Sequence, residues 1–185
     1  MNGPPKKRKN KNKTRKSSIT SRMIKTRLLY YYRIERQYPI VNTEGINHSD
    51  VTAIKPDNLV EVEIKINKSD LINEFEKPSK YKAIKHSQYL NKTRKRFIIP
   101  NQYYLCVTPE LCDLAIELVN KYNNKYGVIL FKPVKPIYSN IPFGEIVVKK
   151  VAGKIHKEPP TLKVLMEGCM RTTSELLQRS MKLYD

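Results

Sequence analysis

The chain reads as an α/β protein with a mixed central sheet flanked by helices, and three observations lead there. Tyr103-Tyr104-Leu105-Cys106-Val107 and Val128-Ile129-Leu130-Phe131 are short apolar runs separated by an amphipathic segment, the order of a βαβ crossover whose strands run parallel in a sheet interior. Residues 49–54 and 59–66 have the β-branched content of strands, and Lys55-Pro56-Asp57-Asn58 between them is a turn composition, so these two strands run antiparallel. Helical periodicity over 20–36 and again near both later strands supplies the flanking layers.

The 185 residues form one domain by length, with a tail: residues 1–18 as a disordered basic arm and residues 19–185 as the folded domain. Lys and Arg number 36 against 17 acids, a net charge of +19. Twelve of those basic residues lie in positions 1–34, which hold no acid. Such an excess points to a polyanion, most often nucleic acid, and an anionic membrane surface is the weaker fit. With no long apolar run and no secretory core at the start of the chain, a soluble intracellular protein is expected. Pro5-Lys6-Lys7-Arg8-Lys9 reads as a phosphate-gripping arm, and would direct the chain to a nucleus if it acts as a localisation signal. Cys106, Cys112 and Cys169 suit a reducing compartment, and their spacing argues against a disulfide framework or a zinc finger. The three histidines form no helical pair.

Along the chain, Met23, Ile24, Leu28, Tyr31 and Ile34 define a helix over 20–36 whose outer face carries Arg22, Lys25 and Arg33. Its tyrosines read as core. A strand follows near Tyr38–Thr43, ended by Glu44-Gly45, and then the hairpin. Asn67 or Ser69 caps a helix starting near Asp70. Pro78 splits or kinks that helix before His86, and residues 87–101 form a polar basic loop. Pro109 opens the helix of Leu111, Leu114, Ala115, Leu118 and Tyr122. After a proline-bearing connection over 133–142, Glu145–Val151 reads as an edge strand. The last element, about Thr161–Leu183, carries an irregular apolar stripe and is read as a helix broken near Gly168 or Thr172-Thr173.

The chemistry concentrates in the hairpin. Val60, Val62, Ile64 and Ile66 share one parity and Glu61, Glu63 and Lys65 the other, a half-buried strand with a charged face. Pairing Ile54 with Leu59 sets Val51 opposite Val62, Ala53 opposite Val60 and Asp50 opposite Glu63. Two opposed carboxylates repel unless a positive charge lies between them, and Lys65 or a divalent cation can supply it. Glu61 is expected nearer the sheet edge or supporting Lys65. His48 shares the parity of Asp50 and reads as a surface or phosphate-contacting residue. Hard carboxylate oxygens hold Mg²⁺ or Mn²⁺, and the backbone carbonyl of Ile64 offers a third oxygen. On an exposed strand the same alternation of Glu and Lys also makes plain cross-strand ion pairs.

Asp50, twelve intervening residues, then Glu63-Ile64-Lys65 resembles the motif of the PD-(D/E)XK nuclease superfamily. The likeness extends to Ser69-Asp70-Leu71 with Lys77, Lys80 and Tyr81, and to the runs Val147–Lys157 and Met170–Leu176. It is nearest to MmcB-like DNA-repair-associated proteins and related small phage nucleases, and covers about residues 20–182. The resemblance implies a restriction-endonuclease-like fold and a metal-dependent DNA endonuclease of DNA repair, recombination or phage DNA processing, with Mg²⁺ or Mn²⁺ as cofactor. It also implies a cytoplasmic or nucleoid-associated place in a phage or bacterium. It implies Asp50 and Glu63 as metal ligands together with Ile64, Lys65 as the catalytic lysine, and Glu35 or Glu44 as an extra acid. Lys77, Lys80, Lys82, Arg94, Lys95 and Arg96 are the phosphate-binding candidates, and a homodimer is expected because cutting two strands needs two sites. The alternative is a non-catalytic nucleic-acid-binding protein on the same fold.

Overall fold

A computed structural model describes residues 19–45, 48–76, 98–134 and 144–181. The basic arm, the phosphate-binding candidates Lys77, Lys80, Lys82, Arg94, Lys95 and Arg96, the break at Pro78 and most of the connection at 133–142 lie outside the described residues.

Six strands form one mixed sheet in sequential order: β1 (Ile40–Thr43), β2 (Val51–Lys55), β3 (Asn58–Lys65), β4 (Gln102–Val107), β5 (Gly127–Lys132) and β6 (Glu145–Lys150). The β1–β2, β2–β3 and β5–β6 pairs are antiparallel, and β3–β4 and β4–β5 are parallel. The hairpin register is the one the apolar pattern requires, with Val51 opposite Val62, Ala53 opposite Val60 and Ile54 opposite Leu59. Its turn is tighter than the sequence reads, because Lys55 pairs with Asn58 and leaves Pro56-Asp57 as the loop. Asn58 is drawn into the strand by its side chain, whose Nδ2 donates to Tyr38 Oη (2.9 Å) and Gln102 Oε1 (2.8 Å).

Helix α1 (Ser21–Tyr30) starts where Thr20 Oγ1 accepts from the Met23 amide, and it ends in a π turn over Tyr31–Glu35. Ile24, Leu28 and Tyr32 are buried against Val51, Ala53, Val60, Val62 and Ile64, each contributing about 2 kcal/mol of burial. The tyrosine run therefore serves the core at Tyr32. On the opposite face α2 (Lys68–Glu76) and α3 (Cys112–Tyr122), the latter preceded by a 3₁₀ turn at Pro109–Leu111, cover Tyr103, Leu105 and Val107. Asn67 is the cap of α2: its Oδ1 accepts from the Asp70 amide at 2.8 Å.

Strand β3 departs from expectation. Instead of being half-buried it is buried at every residue. Third in a six-stranded sheet, it has neighbours on both sides and helices on both faces, so its charged parity has no solvent to face.

The last helix, α4 (Leu162–Met181), is continuous. Gly168 does not break it but seats it: a Cβ there would lie 2.7 Å from Ile54 Cδ1 and 3.0 Å from Ile40 Cγ2, so any larger residue would push these isoleucine side chains aside or lift the helix from β1 and β2. Glu175 of α4 accepts from the Thr43 amide at 3.1 Å, which blunts the β1 edge of the sheet.

Candidate functional site

Both parts of the sequence motif lie at the end of the hairpin remote from its turn. Continuing the β2–β3 register one step beyond Val51–Val62 sets Asp50 beside Glu63. β2 has ended there, and Asp50 Oδ2 accepts the Ile64 backbone amide at 2.8 Å. The first acid is thus tied to the backbone between Glu63 and Lys65. Its charge also reaches Cys106 on β4, whose thiol is pushed well up, mainly by burial and further by Asp50.

Asp50 has a cation the sequence does not assign to it. Lys25 of α1, expected on the outer face of its helix, lies 2.9 Å from Asp50 Oδ1 and 2.7 Å from Glu44 Oε1. Burial lowers the Lys25 pKa, but the two carboxylates outweigh it and hold the ammonium above its ordinary 10.5. Glu44 itself stands in the left-handed region (φ 53°), directly after β1, which turns the chain back toward β2. Of the two extra-acid candidates, Glu44 therefore joins the site. Glu35 does not: it is ion-paired at 2.7 Å with the buried Arg27, whose Nε donates to the Gly144 carbonyl.

Lys65 is 7% exposed and closes a second cluster. Its Nζ lies 2.7 Å from Glu74 Oε2, 3.6 Å from Glu63 Oε2 and 3.7 Å from Asp70 Oδ2. Burial pushes its pKa down, yet Glu74, Glu63 and Asp70 more than reverse this and leave it raised. At neutral pH it is a cation and not a base. The Tyr103 hydroxyl donates to Glu74 Oε1 at 3.1 Å, fixing that carboxylate from β4. Among the described residues the motif lysine thus pairs with the second acid, and the first acid pairs with Lys25.

Two expectations need correction. Glu61 is fully buried, with Thr52 beside it on β2 and Tyr103 on β4, and so lies in the sheet interior and not near an edge. His48 is in a turn, with φ 60° and its amide bonded to the Gly45 carbonyl, so it does not share a strand parity with Asp50. Lys25 and Glu74 are the ion-pair partners of the motif residues that sequence reasoning missed. Glu74 carries a signal, since it follows Asp70 by four residues and shares its helix face. Lys25 carries none until α1 is docked on the sheet.

Among the described residues no group of three or more His, Cys, Asp or Glu side chains is arranged to hold a metal ion. A hydrated Mg²⁺ needs less: one or two carboxylates, with water and substrate phosphate completing its shell. Asp50 and Glu44, converging on one ammonium, are hard oxygen donors of that kind.

The sequence matches no protein-family model and no curated protein. Among the described residues no helix is long and apolar enough to cross a membrane.

Proposed function

We propose that the chain is a Mg²⁺- or Mn²⁺-dependent DNA endonuclease of the PD-(D/E)XK type on a restriction-endonuclease-like sheet. The observation that carries this reading is the 2.8 Å bond from the Ile64 amide to Asp50, which brings the first acid onto the Glu63-Ile64-Lys65 segment. The element order supports it: a helix and strand, the hairpin bearing the motif, a capped helix, then a parallel strand, helix and strand. So does the net charge of +19, which favours a polyanionic substrate.

Asp50, Glu63 and the Ile64 carbonyl would hold the ion, with Glu44 as the extra acid. When bound, such an ion polarises the phosphate and lowers the pKa of an attacking water. The chain's own residues prepare that chemistry. Lys65, kept protonated by Glu74 and Glu63, offsets negative charge on the phosphate. The Ile64 amide fixes the orientation of Asp50, and burial of Glu63 keeps bulk water from it. Lys77, Lys80, Lys82, Arg94, Lys95 and Arg96 would grip the flanking phosphates.

Plasmid nicking in Mg²⁺ or Mn²⁺ tests the reading. Asp50→Ala and Lys65→Ala should each lower cleavage by about a hundredfold or more while circular dichroism stays native. Cleavage that survives either substitution removes the mechanism.

One observation favours the non-catalytic alternative: Asp50 and Glu44 are both ion-paired with Lys25, and Glu63, Asp70 and Glu74 all with Lys65. A site satisfied in this way can be purely structural. That reading predicts salt-dependent DNA binding without cleavage in either metal, and binding unchanged in Asp50→Ala.

A further inference from the structure

The outer face of α4 carries an apolar surface that the site does not use. Leu162, Met166, Met170, Leu177 and Met181 fall within an arc of about 100° on a helix about 30 Å long, with Leu176 on its flank. These six side chains are between 57% and 72% exposed. The opposite face, through Val164 and Gly168, is the one seated on β1 and β2. Together the exposed groups present roughly 700 Å² of apolar surface, more than a monomer ordinarily leaves in water and close to the roughly 800 Å² per partner of a stable interface.

The geometry points to a twofold-symmetric homodimer formed by packing α4 of one copy against α4 of a second. Charge decides the occupant. The chain carries +19, yet α4 holds three basic residues, Lys163, Arg171 and Arg179, against two acids, Glu167 and Glu175. It is therefore the near-neutral part of a strongly basic protein, where two copies meet without setting basic surfaces face to face. The same neutrality makes it a poor DNA surface, and it lacks the Lys- and Arg-rich flank of a helix that lies on anionic lipid. Residues 1–18 hold no large apolar side chain beyond Met1 and cannot cover the stripe chemically. Its methionines adapt to a partner surface without a fixed jigsaw fit.

The test is sedimentation equilibrium of the full chain, freed of nucleic acid, in high salt across a hundredfold range of concentration. The expected mass is twice the 21.7 kDa of the chain, falling to the monomer on dilution. Met166→Lys combined with Leu177→Lys should be monomeric with native circular dichroism, and Met170→Ser should weaken the dimer at least tenfold as a milder second variant. Val151→Lys, a substitution at a 72% exposed site away from α4, should leave dimerisation intact. A wild-type monomer at every concentration overturns the proposal. So does a dimer unaffected by all three α4 substitutions, or a monomer that uses α4 to bind phosphatidylcholine–phosphatidylserine vesicles.

Discussion

Replacing Lys65 by methionine should cost the fold about 3 kcal/mol, the lower end of what removing one partner from a buried ion cluster costs. Methionine keeps the length and most of the volume, so packing changes little and the loss is electrostatic. The Glu63 and Glu74 side chains are 8% and 12% exposed, so without the ammonium each carboxylate stays desolvated beside the other. Asp70, at 48%, is wet enough to contribute little. With a urea m-value of about 2 kcal/mol/M the unfolding midpoint should fall by about 1.5 M. Adding Glu74→Gln removes one stranded charge, and the double variant should recover about 1 kcal/mol or more over the sum of the single changes. A Lys65→Met protein within about 0.5 kcal/mol of wild type, or strictly additive double-variant energies, would refute the cluster as a stabilising unit.

Alkaline stability follows from the same groups. Lys25 and Lys65 both have pKa values raised above 10.5 in the folded protein. Their stabilisation is complete below the unfolded value and is lost as pH rises through the higher folded value. Thermal midpoints should therefore fall above about pH 10, and Lys65→Met should show a shallower fall than wild type; identical slopes would count against the assignment. Gly127→Ala should lower stability by about 2 kcal/mol through overpacking, seen as a drop of about 5 °C in Tm. A Cβ there would lie 2.3 Å from the Tyr104 ring and 2.8 Å from the Ala152 amide nitrogen, and a Tm unchanged within a degree would show that β4 and β5 are not so closely apposed.

The sheet was legible in the sequence wherever local pattern and register agree. The β2–β3 pairing followed from placing Val51, Ala53, Val60 and Val62 on one face, since a slip of one residue would put Val51 and Ala53 on the face opposite Val60 and Val62. The βαβ order of β4, α3 and β5 followed from two apolar runs about a helix. Burial of the charged parity of β3 did not follow, because alternation is the mark of a strand with one wet face, and only the covering helices show that Glu61, Glu63 and Lys65 are inside.

By itself the sequence determined the element order, the hairpin register and the chemical types brought to it: two acids, a lysine and a strongly basic surround. Only the tertiary structure decided which charge answers which. Lys25 reaches Asp50 from a helix 25 residues earlier in the chain, and Glu74 rather than Asp50 lies closest to Lys65. Alternation assigns a residue to a face, but ion pairing depends on the height and tilt of the helix laid across that face, which is set by contacts far apart in the chain. For the same reason an apolar stripe on α4 was visible in the sequence, while its outward direction was fixed only by Gly168 seating the other face on the sheet.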